Sequence, residues 1–319
     1  MKSHPISRRD RITGGIIGAL VGDALGVPVE FSSRGERDSD PVTSMRAFGT
    51  WNQLAGTWSD DGALLLCTAE SLLEAPSVDI AGELYVRWLQ KGHQAVGGKV
   101  FDVGGATRAA LGRISRGGSA ATAGGVGESD NGNGSLMRIL PIALRFGDSA
   151  PEVVADQAMR WSAITHRHPR SQLACACYCL IAQQLLNGAT PLGAIHTSDA
   201  VFAKLLARFP DERSGFARIF DGAFANTRRE EIRSGGYVID TLEASLWCVL
   251  QGGSFRDIVL RAVNLGEDTD TTGCVTGGLA GIIAGVEAIP ADWKDALAKD
   301  PPVGGLIERF QAVAKDPST

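Results

Sequence analysis

Residues 265–281 read LGEDTDTTGCVTGGLAG. Two acids, Asp268 and Asp270, stand one residue apart among hydroxyls. Behind them, glycines recur at 273, 277 and 281, and again at 285. A four-residue step places them along one face of a helix. The same step occurs near the N-terminus, in ITGGIIGALVGDALG, with Gly14, Gly18, Gly22 and Gly26. Glycine inside a helix costs about 1 kcal/mol relative to alanine. Four on one ridge need compensation, and close backbone approach of a neighbouring helix supplies it. We expect these two helices to sit centrally and to pack on each other or on a shared neighbour.

Working outward, helical patterns dominate. GALLLCTAESLLEA (62–75) is rich in strong helix formers and stops at Pro76. QLACACYCLIAQQLL (172–186) is a helix ended by Asn187-Gly188. YVIDTLEASLWCVL (237–250) is another, and Ser254 caps the next, FRDIVLRAVNLG (255–266). Alternating strand patterns of useful length are hard to find, which argues for an all-α fold. No linker clearly divides the chain. Two loops are expected: polar RGERDSDP (34–41), exposed, and GGSAATAGGVGESDNGNGS (117–135), mobile or ligand-binding.

The 319 residues are 44% hydrophobic, ample for a core, and the formal net charge is −5. Basic residues are scattered, so no nucleic-acid surface is expected. The six cysteines include no CxxC pair, and the three in ACACYC cannot share one helix face. Buried thiols in a reducing compartment are the better reading than a zinc cage. The apolar run Ile16–Leu25 contains Asp23 and is too short to span a bilayer. No secretory signal is evident, and a soluble cytoplasmic protein is expected.

A second acid pair, Asp60-Asp61, follows Ser59 in TWSDDG. Both pairs fall at helix starts, where Asp, Ser and Thr serve as caps and meet the helix dipole. One acid per helix would suffice for that. Two at each start repel unless a cation lies between them. Four carboxylates with hydroxyl oxygens suit Mg²⁺, Mn²⁺ or Ca²⁺ and disfavour zinc. On spacing alone, capping and metal binding both stay open. GDALGVPVEF (22–31) can add Asp23 and Glu30. SAITHRHPRS (162–171) offers His166 and His168 with Arg167 and Arg170, either structural or poised for phosphate. Asn131-Gly132-Asn133-Gly134-Ser135 is a candidate anion cradle of unobstructed backbone N–H groups.

Taken together, GALVGDALGVPVEF, GTWSDDGALLLCTAESL, NGNGSLMRILPIAL, ITHRHP, GGYVIDTLEASLWC and LGEDTDTTGCVTGGLAGIIAG resemble the ADP-ribosylglycohydrolase family, which includes the dinitrogenase-reductase-activating glycohydrolase. They occur in the family's order, from about residue 11 to residue 285. The resemblance implies a compact, single-domain, all-α bundle over residues 1–319, with its core at about 11–290. It implies two divalent cations, Mg²⁺ or Mn²⁺, held by Ser59, Asp60, Asp61, Asp268, Asp270 and Thr271. Glu30, Asp61 and Asp102 would take part in catalysis, Asp102 being the weaker match. Asn133, Gly134, Ser135 and His166 would surround diphosphate and ribose, and Tyr237 would lie near the adenine. The implied reaction is hydrolysis of the C1″ bond between ADP-ribose and an acceptor, a protein side chain or a small conjugate. The family's usual first cluster reads Trp-Thr-Asp-Asp-Thr; here Ser59 keeps the first hydroxyl and Gly62 removes the second. Three alternatives remain. They are a non-catalytic ADP-ribose-binding or structural homologue, a hydrolase of a related nucleoside-type conjugate, and a metal-dependent phosphohydrolase. Oligomeric state has no readable signal.

Overall fold

The computed structural model describes residues 6–314, so the ends of the expected 1–319 domain lie outside the described residues. The first helices are α1 (Arg8–Gly26), α2 (Arg34–Ser39), α3 (Asp60–Ser71), α4 (Val78–Lys91) and α5 (Gly105–Ser115). Next come α6 (Leu140–Arg145), α7 (Pro151–Ala163), α8 (Pro169–Leu186), α9 (Pro191–Leu206) and α10 (Arg213–Phe216). The chain closes with α11 (Val238–Leu250), α12 (Phe255–Val263), α13 (Thr269–Ala284), α14 (Ala291–Ala296) and α15 (Gly304–Val313). Among the described residues there is no strand, only three isolated bridges. The expected all-α fold is what forms.

The two glycine helices pack on each other, antiparallel. Gly14 faces Gly281, Gly18 faces Gly277 and Gly22 faces Gly273, and a Cβ added at any of them would strike the partner's backbone carbonyl. Gly26 meets the backbone of Thr269 and Asp270 in the same way. The ridge thus seats the end of α1 against the acidic start of α13. Gly285 departs from the expected pattern. It ends α13 at φ +75°, and an added Cβ would meet the Ile6 side chain rather than α1 backbone. The positive φ, which L side chains rarely adopt, accounts for this glycine.

The remaining helices bury this pair. α11 and α12 pack on α13, and Tyr178 of α8 donates its hydroxyl to the Val275 carbonyl at 3.0 Å. α8 is apolar on nearly every face, so all three of its cysteines are buried, and all six cysteines are free thiols. The apolar segment Arg8–Val29 is long enough to cross a membrane, but 89% of its apolar 18-residue window is buried inside the protein. Its hydropathy serves the core.

Several boundaries differ from expectation. Residues 34–41 do not form a plain loop: Ser33 and Glu36 close a capping box that starts α2. α3 begins at Asp60 and stops at Ser71, well before Pro76, where the Ser71 hydroxyl turns back onto the Thr68 carbonyl at 2.7 Å. α8 starts at Pro169, a residue suited to the first helical position. α11 starts one residue after Tyr237, and α12 ends at Val263 with Asn264 as its cap, while Ser254 caps it as expected. The 117–135 segment is tied down: Gly124 donates to Ala163 and Arg167 donates to Gly125, at 3.0 and 2.8 Å. The core also continues past residue 290, since Trp293, Ile307 and Phe310 are buried and α15 packs on α1 and α3.

Candidate active site

The Ser59–Asp61 turn is held from below by Asp23 of α1. That carboxylate accepts from the Ser59 N–H at 3.0 and 3.1 Å and from the Gly62 N–H at 2.8 Å. Burial pushes its pKa up to about 7, while those N–H groups pull it down. Ser59 caps α3, its hydroxyl accepting from the Asp61 N–H at 3.2 Å. Gly62 has no room for a side chain, because a Cβ would press on Leu20 and Trp58 at 2.8 Å. The missing second hydroxyl of the cluster therefore follows from local packing.

Opposite stands the start of α13. Thr269 donates its hydroxyl to the Gly26 carbonyl at 2.8 Å. Asp268 precedes the helix and accepts from the Asn133 side chain at 2.8 Å. The two clusters meet where Thr271 Oγ1 lies 3.4 Å from Asp61 Oδ2. Glu30 joins them: carboxylate oxygens of Glu30, Asp268 and Asp270 all lie within 4.8 Å of one another. Asp102, at φ +51°, lines the same cleft as Glu30.

These acids repel strongly. Burial and then their neighbours' negative charge hold Asp60, Asp61 and Asp270 well above the usual carboxylate range. Burial likewise raises Asp268. Glu30 is pushed up to about 9 by burial and then by Asp102, and Asp102 to about 6 by burial and then by Asp268. None is matched by an ion pair among the described residues. Asp61 Oδ1, Asp268 Oδ1 and Asp270 Oδ2 are buried without a hydrogen-bond partner. A native fold rarely leaves buried acceptors so. Three orphaned carboxylate oxygens with hydroxyls around them fit a hard divalent cation.

Glu30, Asp60, Asp61, Asp102 and Asp268 floor one end of a cleft of about 390 Å³, with Asp270 and Ser59 behind that floor rather than in its lining. Its other walls come from Gly132, Asn133, Gly134 and His166, and from Thr107 at the start of α5. The His166 ring is buried, shares a 2.8 Å hydrogen bond with Thr165 Oγ1, and is pushed down to about 3 by burial and then by Arg138. It is neutral at physiological pH and offers the cleft a hydrogen bond rather than a charge. A larger groove of about 670 Å³ lies along α7 and α9, but its acids, Glu152 and Asp156, form no comparable buried cluster.

Residues 4–318 match the ADP-ribosylglycohydrolase family. The chain belongs to that family. The ADP-ribosylarginine hydrolase Tri1 of Serratia proteamaculans (strain 568) is 33% identical over 309 residues, covering 96% of this chain and 80% of its own. Its counterpart in Pseudomonas putida (strain GB-1) is 35% identical, covering 92% and 76%. The ADP-ribosyl-[dinitrogen reductase] glycohydrolase of Rhodospirillum rubrum is 29% identical, covering 91% of each chain. A solved structure described as an ADP-ribosylglycohydrolase-related protein complex superposes with a TM-score of 0.78 at 31% identity, covering 97% of this chain and 99% of that one. The protein is thus a glycohydrolase of ADP-ribose conjugates.

Not every residue singled out in this glycohydrolase's sequence reaches the cleft. Ser135 is fully buried, its hydroxyl spent on Ser162 at 2.9 Å and Cys175 at 3.4 Å. Tyr237 is 38% exposed and stands just ahead of α11, beside Gly132 but outside the cleft lining. Asn133 does line it, and also steadies Asp268. Of the basic and imidazole groups in ITHRHPRS, only His166 faces the cleft. His168 caps α8, and Arg170 is taken by Glu128 and Glu212, both at 2.7 Å. Three contributors were missed. Thr107 carried no sequence signal. Arg138 lies buried beneath the loop, donating to the Gly134 carbonyl and to Thr165 and stacking on Tyr85 at 4.8 Å. Trp51 donates its indole N–H to Glu30; an aromatic in a glycine-flanked loop was the only hint.

Proposed function

We propose that the acidic floor holds two divalent cations, Mg²⁺ or Mn²⁺, and that the cleft hydrolyses the C1″–nitrogen bond of ADP-ribosylated arginine. The observation that carries this is the trio of orphaned carboxylate oxygens on Asp61, Asp268 and Asp270. Ser59, Asp60, Asp61, Asp268, Asp270 and Thr271 form the ligand set. Cations held there would supply Lewis-acid polarisation of a substrate hydroxyl or of a water. The transition state gathers positive charge on the ribose ring, which the Asp61 side of the floor stabilises. The Glu30–Asp102 pair handles the proton. One of the two protonates the departing acceptor, and the other takes a proton from the water. Asn133, Gly134 and His166 receive the diphosphate and ribose, with Ser135 and Tyr237 as support behind and beside the loop. The sequence relationship to two arginine-conjugate hydrolases supports arginine as acceptor. The buried free thiols suit a reducing cytoplasm.

The test is to incubate the protein with Mg²⁺ and ADP-ribosylated arginine, serine or an O-acetyl conjugate and to follow free ADP-ribose. We expect release from the arginine conjugate, abolished by EDTA and by Asp270→Ala. Tight ADP-ribose binding without turnover would favour a binding protein, and phosphate release would favour a phosphohydrolase.

A further inference from the structure

The two acids assigned to proton transfer are bracketed by aromatic rings. Phe31 follows Glu30, Phe101 precedes Asp102, and Trp51 donates its indole N–H to Glu30. The rings form a chain. Phe31 and Trp51 meet edge-on with centroids 6.2 Å apart, and Trp51 and Phe101 lie 5.6 Å apart. Phe31 lines the cleft, yet its side chain is 64% exposed. An exposed phenyl ring in solvent gains nothing from burial. Its backbone is held at φ +64°, a left-handed conformation costly for a bulky residue. Two backbone hydrogen bonds impose it: the Phe31 N–H donates to Glu267 O and the Glu267 N–H donates to Ser32 O, both at 2.7 Å. An apolar ring is thus displayed at the cleft by a strained, well-anchored turn.

We infer that Phe31, backed by Trp51 and Phe101, receives the guanidinium of the acceptor arginine and is a specificity-determining residue. This rests on the reading of the cleft as an ADP-ribosylarginine hydrolase. The group that leaves must face whichever acid protonates it, and the rings flank both candidates. A guanidinium is planar and cationic, stacks on aromatic faces and pairs with carboxylates. Phe31 supplies a face, and Asp102 supplies a carboxylate beside the same chain of rings. The ribose and diphosphate bind elsewhere, at the acid floor and the Asn133–His166 wall, so Phe31 sorts acceptors without touching ADP-ribose.

The experiment compares wild type with Phe31→Ala, Phe31→Leu and Phe31→Trp. It reads KM and kcat on an ADP-ribosylated arginine peptide, and the inhibition constant of free ADP-ribose. We expect Phe31→Ala and Phe31→Leu to raise KM on the order of tenfold, the range open to a cation–π contact. Phe31→Trp, which keeps a face, should stay near wild type, and ADP-ribose should inhibit all four proteins alike. That unchanged inhibition also shows that the variants fold. An unchanged KM in Phe31→Ala overturns the inference while leaving the hydrolase reading intact. So does a loss of ADP-ribose inhibition in step with KM. Failure of wild type to cleave the peptide overturns the hydrolase reading, and this one with it.

Discussion

Asp23 shows how one residue can govern a site it does not line. Its carboxylate accepts backbone N–H groups from both sides of Asp60-Asp61. Removing such a support changes ligand orientation rather than ligand number. Asp23→Asn should weaken Mn²⁺ binding by about 10–100-fold, the usual cost of losing a partner that orients metal ligands. Equilibrium dialysis measures it, and wild-type affinity would mean the turn is held some other way. The acids themselves were readable in sequence, where spacing left capping and metal binding both open and the family resemblance pointed to a cation. The brace was not. Asp23 lies in the last turn of α1 and read as a possible addition to the acids; only the fold shows that it braces the Ser59 turn. Ser135 illustrates the opposite failure: its place in a glycine-rich cradle suggested a ligand contact, but its hydroxyl points into the core.

At the scale of helices, the α1–α13 contact is the element that everything else is hung upon. It carries Asp23 and Asp270 on facing helices and sets the spacing of the acid clusters. Gly277 faces the Gly18 carbonyl with no room for a methyl group. Gly277→Ala should therefore destabilise by about 3 kcal/mol or more, at the upper end of overpacking costs, seen as a lower urea midpoint at unchanged slope. A midpoint within error of wild type would contradict the close packing. This contact was legible because glycines repeated every four residues weaken a helix unless its backbone meets another. The helix ends were less so. α2 was hidden in a polar run, where the capping box of Ser33 with Glu36 went unread. α3 stopped early because the Ser71 hydroxyl competes for its backbone.

For the whole molecule, the buried acid floor should make stability depend on pH and, with the proposed cations, on metal. Glu30 is raised from an ordinary value of 4.5 to about 9. A raised carboxyl binds its proton more tightly folded than unfolded, so its stabilising contribution is present below the unfolded value and is lost as pH rises towards about 9. His166 acts oppositely. Lowered from 6.5 to about 3, it costs stability as pH falls through that window and contributes no slope above it. Above pH about 6.5 the acids alone should therefore set the trend. Chelated protein should lose thermal stability between pH about 6.5 and 8.5, Mg²⁺ or Mn²⁺ should restore it, and Glu30→Gln should flatten the slope. Calorimetric melting temperatures with and without EDTA check this; a flat profile for the chelated protein would count against a repelling floor.

The proposed chemistry depends on that floor holding cations, and counting the ions tests it directly. Isothermal titration of the chelated protein with Mn²⁺ should give two ions per chain, with Asp61→Asn and Asp270→Asn each losing at least one. A titration showing no Mn²⁺ binding to the wild-type protein, or two ions still bound by both variants, would contradict the assignment.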